Sequence, residues 1–152
     1  MAVAIGLGAI AGLRSMTAPA VIVWAARFGW IAWHGSWLGF FGSAWAPYLF
    51  TVLAVAELVA DKLPSTPNRT MFGSLVVRAL SGGLCGAAIC ASADQSVALG
   101  AILAAVASIA GAFAGYEARH RLTAQFPGAA IGIALIEDAI AVGGGFLIVS
   151  SL

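Results

Sequence analysis

Four acidic and two basic residues stand inside stretches that otherwise read as membrane-spanning helix. They are Glu57, Asp61, Glu137 and Asp138, with Arg14 and Arg78. A charge at the bilayer centre costs about 2.5–3.5 kcal/mol even on lenient insertion scales. Such residues persist where they pair with one another, face a wet cavity or do work. Whatever this chain folds into must therefore enclose a polar interior in an apolar shell.

The shell follows from composition. The 152 residues are 62% hydrophobic and 9% charged, with a mean hydropathy of +1.02. A soluble domain carries about 25% charged residues, and one this small could not hide so much apolar surface. The fold class expected is all-α: one polytopic transmembrane domain whose first partner is the lipid bilayer. A net charge of +1 without a basic tract argues against nucleic acid as a partner. No basic residue precedes the first apolar run and Arg14 interrupts it, so the N-terminus does not read as a cleavable signal.

Crossing a bilayer takes about 20 apolar residues in helix. Five spans are predicted, at about residues 2–28, 44–62, 71–93, 97–116 and 128–150. The first contains Gly12-Leu-Arg-Ser-Met-Thr-Ala-Pro19, where Pro19 predicts a kink. Between spans one and two, residues 29–43 hold Trp30, Trp33 and Trp37 at helical spacing, with Phe40 and Phe41. Tryptophan concentrates at the lipid–water boundary, which predicts an interfacial or re-entrant segment. The turn Pro64–Thr70 separates spans two and three, Asp94–Ser96 spans three and four, and Pro127-Gly128 opens the fifth. Lys62, Arg69, Arg119 and Arg121 fall on one side of this scheme and Arg27 on the other, which predicts a cytoplasmic N-terminus and an external C-terminus.

Small-residue pairs predict where helices touch: Gly8 with Gly12, Gly111 with Gly115, and Gly128 with Gly132. In lipid, close backbone approach holds spans together, within one chain or at a homo-oligomer seam. Gly8-Ala-Ile-Ala-Gly12 also echoes Gly111-Ala-Phe-Ala-Gly115, and Ala54-Val-Ala-Glu57 echoes Ala134-Leu-Ile-Glu137. Those echoes suggest an inverted repeat of the kind that builds transporters around a midplane site. The triple Gly143-Gly-Gly145 suggests a hinge or backbone carbonyls turned to a polar lumen.

Glu57 and Asp61, four apart, share a helix face, whereas Glu137 and its neighbour Asp138 diverge. Arg14 and Arg78 are the natural partners of the acids, and Lys62 lies where it can snorkel to water. Two readings stand: buried ion pairs that fix helix register, or a proton- or cation-responsive pathway lined by Arg14, Glu57, Asp61, Arg78, Glu137 and Asp138. Protease, glycine-elbow and phosphate-loop motifs are absent, so no enzyme and no cofactor is expected. Cys85 and Cys90, on an apolar segment without a nearby His, predict buried thiols and no metal site. His34 and His120 are peripheral, and the sequon Asn68-Arg69-Thr70 falls on the side assigned to the cytoplasm.

Glu57-Leu-Val-Ala-Asp-Lys-Leu-Pro64, Gly12-Leu-Arg-Ser-Met-Thr17, Arg78-Ala-Leu-Ser-Gly82 and Glu137-Asp138-Ala139 together resemble a bacterial family of small integral membrane proteins designated a domain of unknown function. The resemblance spans nearly the whole chain and implies an inner-membrane protein of four or five spans, with no activity attached. Relatives carry Gly-Leu-Asn where this chain has Gly-Leu-Arg, which leaves the role of Arg14 open. The function expected is a small transporter or channel for a solute or ion, proton- or cation-coupled. The alternative is a structural membrane protein held together by its ion pairs.

Overall fold

The computed structural model describes residues 1–32, 37–62, 70–126 and 128–152. Among these residues six α-helices follow in order: α1 (Ala2–Leu13), α2 (Thr17–Arg27), α3 (Ala46–Ala60), α4 (Phe72–Ser92), α5 (Val97–Gln125) and α6 (Ala130–Val149). A 3-10 helix, Trp37–Gly42, precedes α3. Among the described residues there is no strand. Helices α4, α5 and α6 are long and apolar enough to cross a membrane, whereas α1 and α3 are shorter apolar helices. The turn at Pro64–Thr70 lies, except for Thr70, outside the described residues, as do Trp33 and His34.

The first predicted span is not one crossing. Arg14 leaves α1 in extended conformation (φ −143°, ψ 110°), and α2 starts three residues later. Neighbouring contacts then run backwards. Ile10 of α1 and Val21 of α2 meet adjacent glycines of α6: a Cβ built on Gly144 would lie 3.4 Å from Ile10, and one on Gly145 2.9 Å from Val21. At the open end, the Met1 ammonium donates to Gln95 of the α4–α5 turn at 2.8 Å. Ala20 and Val23 of α2 pack in one cluster with Ala88, toward the same end of α4. So α1 and α2 form a helical hairpin with its tip at Arg14–Met16. Its arms of 12 and 11 residues rise about 18 and 16 Å, short of a hydrocarbon layer of about 30 Å. Pro19 does not kink a continuous helix. It occupies the first turn of α2, where the missing N–H has no intrahelical role.

This reversal corrects two expectations. Five crossings would put the termini at opposite ends, but Met1 sits by Gln95, and Gly6, near that end, packs against Ile148 near the C-terminus. Both termini are at the same end of the bundle. The inverted repeat also fails for its first pair. A Cβ on Gly8 would overlap Ala104, and one on Gly12 would overlap Ser108 and meet Ala112, so α1 and α5 run parallel, side by side.

Glycine governs how near these helices come. Gly8 and Gly12 on α1, with Gly111 on α5, let the two backbones touch, since a Cβ on Gly111 lies 3.2 Å from the Ala9 Cα. Gly82 and Gly86 on α4 do the same against α5 at Ala104 and Gly100. Gly115 is buried, but Gly128 and Gly132 face open space. Of the triple glycine, Gly144 and Gly145 are packing positions for the hairpin arms. The aliphatic core, Leu7, Ile10, Ala18, Ile22 and Ile89 with the free thiols Cys85 and Cys90, fills the space between the hairpin, α4 and α6.

Candidate functional site

A hairpin inside an apolar protein exposes two helix ends at its tip, and their orphan backbone groups need partners. Glu57, near the end of α3, meets the start of α2. One carboxylate oxygen accepts from the Ser15 N–H and hydroxyl, both at 2.7 Å, and the other accepts from the Met16 N–H at 2.8 Å. No acid lies in the first turn of α2 itself, so a residue of α3 supplies the negative charge that its N-terminus favours. Arg78, from the second turn of α4, does the converse. Its Nη1 donates to the carbonyls of Gly12 and Leu13 at 2.7 and 2.9 Å, at the C-terminus of α1. Glu57 and Arg78 also face each other at 3.9 Å.

The tip residue between these caps is Arg14, which is fully buried. Its guanidinium binds Asp61 at the end of α3 and Asp138 of α6. Asp138 also accepts from Lys62 at 2.7 Å, and the Lys62 ammonium donates to the Leu58 carbonyl at 3.0 Å. Two serines close the inner side: Ser81 donates to the Ser15 carbonyl, and Ser108 donates to the Arg78 carbonyl at 2.7 Å. Glu137 points the other way, toward Arg119 of α5 at 4.0 Å.

All six charged residues expected from the sequence thus lie in or beside one layer, but the pairing differs. Arg14 takes Asp61 and Asp138, and Arg78 takes Glu57. Glu137 contacts neither Arg14 nor Arg78 in any ion pair described, because adjacent residues on a helix diverge. Among the described residues, with Lys62 and Arg119 the set contains four basic and four acidic side chains. Ser15, Ser81, Ser108 and Arg119 were missed as participants. The two serines on α4 and α5 carry a weak signal, as hydroxyls within small-residue stretches, and Arg119 carries none. Among the described residues, no three His, Cys, Asp or Glu side chains group as metal ligands.

A cavity of about 450 Å³ adjoins this layer. It is lined by Ser15, Glu57, Asp61, Ser74 and Arg78, with Met71, Gly73 and Val77 at the start of α4. Other aromatic residues gather near the open end of the hairpin. Trp24 donates to Thr51 at 2.9 Å, Phe40 packs on Phe41, Trp45 and Phe50, and Trp30 and Trp45 are half exposed.

Apolar helices around a charge layer with Arg14, Arg78 and Asp138 buried at its centre define a helical membrane protein built about a charged hairpin tip. Residues 1–151 match the family described as "Domain of unknown function (DUF4126)", and the chain belongs to that family. No curated protein and no solved structure matches the chain.

Proposed function

We propose that the protein is a small transporter or channel of the bacterial inner membrane, proton- or cation-coupled, whose pathway reaches the hairpin tip. The observation that supports this reading is the open cavity ending on Glu57, Asp61 and Arg78, because it gives a solute or ion access to ionisable groups of the charged layer. Glu57 is the coupling group in this reading. A proton on it would cancel the charge that holds Ser15 and Met16, and so loosen the tip. Arg14, Asp61, Arg78, Glu137 and Asp138 complete the pathway layer. In the membrane, Lys62, Arg119 and Arg121 mark the cytoplasmic end, and both termini lie outside. Gly128 and Gly132, facing open space, are available for a homo-oligomer seam.

The pairing of acids with bases supports the competing reading, in which the same residues only fix the hairpin in place. Proteoliposomes loaded with a pH-sensitive dye and screened against cations, organic anions and neutral solutes separate the two. Transport predicts solute-dependent proton movement that Glu57→Gln abolishes in a protein that still inserts. A sealed, inert vesicle with every solute class leaves the structural reading.

A further inference from the structure

The charged cavity between α3 and α4 has a chemistry that names its solute. Helix α3 packs on α2, and α4 packs on α1 and α5, so the cavity separates α3 from α4, with Ser15 of the hairpin tip on its wall. A single metal ion is a poor occupant. A hard divalent cation takes about six oxygen ligands, and among the described residues no three His, Cys, Asp or Glu side chains group as ligands. At about 450 Å³ the space is instead that of a small organic molecule, whose sites span roughly 300–1,000 Å³.

The sign of that molecule follows from which charged groups have capacity to spare. Arg78 is turned toward the protein: its Nη1 donates to the Gly12 and Leu13 carbonyls, and its Nε donates to the Ser74 hydroxyl at 3.2 Å. Its side chain is 5% exposed, against 13% for Glu57 and 10% for Asp61, so the wall presents more carboxylate than guanidinium. Glu57 accepts three hydrogen bonds from Ser15 and Met16, two on Oε1 and one on Oε2. A carboxylate has about four acceptor sites, which leaves one on Oε2 for a ligand donor.

The rest of the wall is apolar and has room. Met71 and Val77 line it and are exposed, and a Cβ built on Gly73 would meet nothing within 4 Å. We propose that the cavity binds a protonated organic amine with an apolar body, its ammonium donating to Glu57 and its body lying against Met71 and Val77. This rests on the reading of the cavity as a solute path and gives that solute a class. Taking an ammonium out of water is costly unless a charged acceptor meets it. The Glu57 charge therefore sets the preference for an amine over a neutral molecule of the same shape.

The test uses the full chain in nanodiscs with tritiated phenethylamine, phenethyl alcohol and phenylacetate, which share a ring and differ in charge. Empty nanodiscs set the background of partition into lipid. The expected result is saturable binding of one amine per chain, at least tenfold tighter than either of the other two. Glu57→Gln should bring the amine down to the level of the alcohol and leave the alcohol unchanged. Gly73→Trp and Val77→Trp, on the exposed face of α4 and clear of the hydrogen bonds at the tip, should each cut amine binding tenfold or more, and they decide the matter if Glu57→Gln fails to insert. Amine binding without amine-driven proton movement in proteoliposomes would sink transport and uphold this site. Preference for phenylacetate, equal binding of the three, no saturable binding, or indifference to both tryptophan variants would overturn the proposal, even where another solute class drives proton movement.

Discussion

Removing Arg14 and removing Asp61 should each be severe, and removing both should be mild. Arg14 is fully buried and binds two carboxylates, Asp61 and Asp138, the second of which also holds Lys62. These four groups sum to zero charge. Arg14→Leu leaves two buried carboxylates sharing one ammonium, and Asp61→Leu leaves two cations sharing Asp138. Breaking a buried pair from one side costs about 3–5 kcal/mol. Each single substitution falls toward the lower end, about 3 kcal/mol, because Asp61 is 10% and Lys62 32% exposed and water relieves part of the imbalance. In the double variant the neutral pair Lys62–Asp138 survives and an apolar contact replaces the ion pair. Its total loss should then be about 1–2 kcal/mol against an additive sum of about 6, a coupling of about 4 kcal/mol. Unfolding in mixed micelles, followed by the fluorescence of Trp24 packed on α3, measures the cycle. A double variant as damaged as the sum of the singles would refute the shared network.

Further outcomes follow from the same geometry. A membrane-impermeant maleimide should label Ala2→Cys and Ser151→Cys alike in intact cells and Arg121→Cys only after permeabilisation, with buried Cys85 and Cys90 silent; opposite results at residues 2 and 151 would dismiss the hairpin. Gly12→Ala should cost about 1–3 kcal/mol, and Gly12→Leu more, because any Cβ overlaps the Ser108 carbonyl, whereas Gly132→Ala should leave thermal stability within about 0.5 kcal/mol; equal effects at the two sites would remove the α1–α5 seam. Glu137→Gln should fold at near-normal yield, since glutamine keeps the shape and a hydrogen-bonding oxygen of the side chain, yet alter the pH dependence of any flux found. Collapse of Glu137→Gln, rescued by neutralising Arg119, would favour a purely structural layer.

The sequence made the charged layer legible because an ionised residue in an apolar run has few physical excuses. Helix number was nearly legible too, since length and hydropathy locate α4, α5 and α6. The hairpin was not. Ala2–Phe28 is long enough to span, and hydropathy carries no information about direction. Only Arg14-Ser15-Met16, which places a charge and a hydroxyl where a crossing helix wants neither, hints at a reversal. Pairing was legible in kind but not in detail. Helix periodicity separates Glu137 from Asp138, yet which of them meets Arg14 depends on the rotation of α6, and that rotation is set by Gly144 and Gly145 against the hairpin arms.

The break in the first helix and the cluster of charges are one feature. A hairpin tip in a medium without water leaves N–H groups at the start of α2 and carbonyls at the end of α1, and each orphan costs several kcal/mol if nothing meets it. The two ends carry opposite partial charge, so they call for an anion and a cation respectively. Glu57 from α3 and Arg78 from α4 supply those, and they reach each other at 3.9 Å. Arg14 then ties the tip to α3 and α6 through Asp61 and Asp138. Three separate helices are thereby fixed to one turn of backbone through ionised groups. A change of charge at Glu57 therefore acts on the hairpin as a whole, because it weakens the acceptor for two backbone donors and a hydroxyl at the same time. In the transport reading proposed above, a proton or a solute arriving through the adjoining cavity would meet that carboxylate directly and would couple occupancy of the cavity to the position of α2.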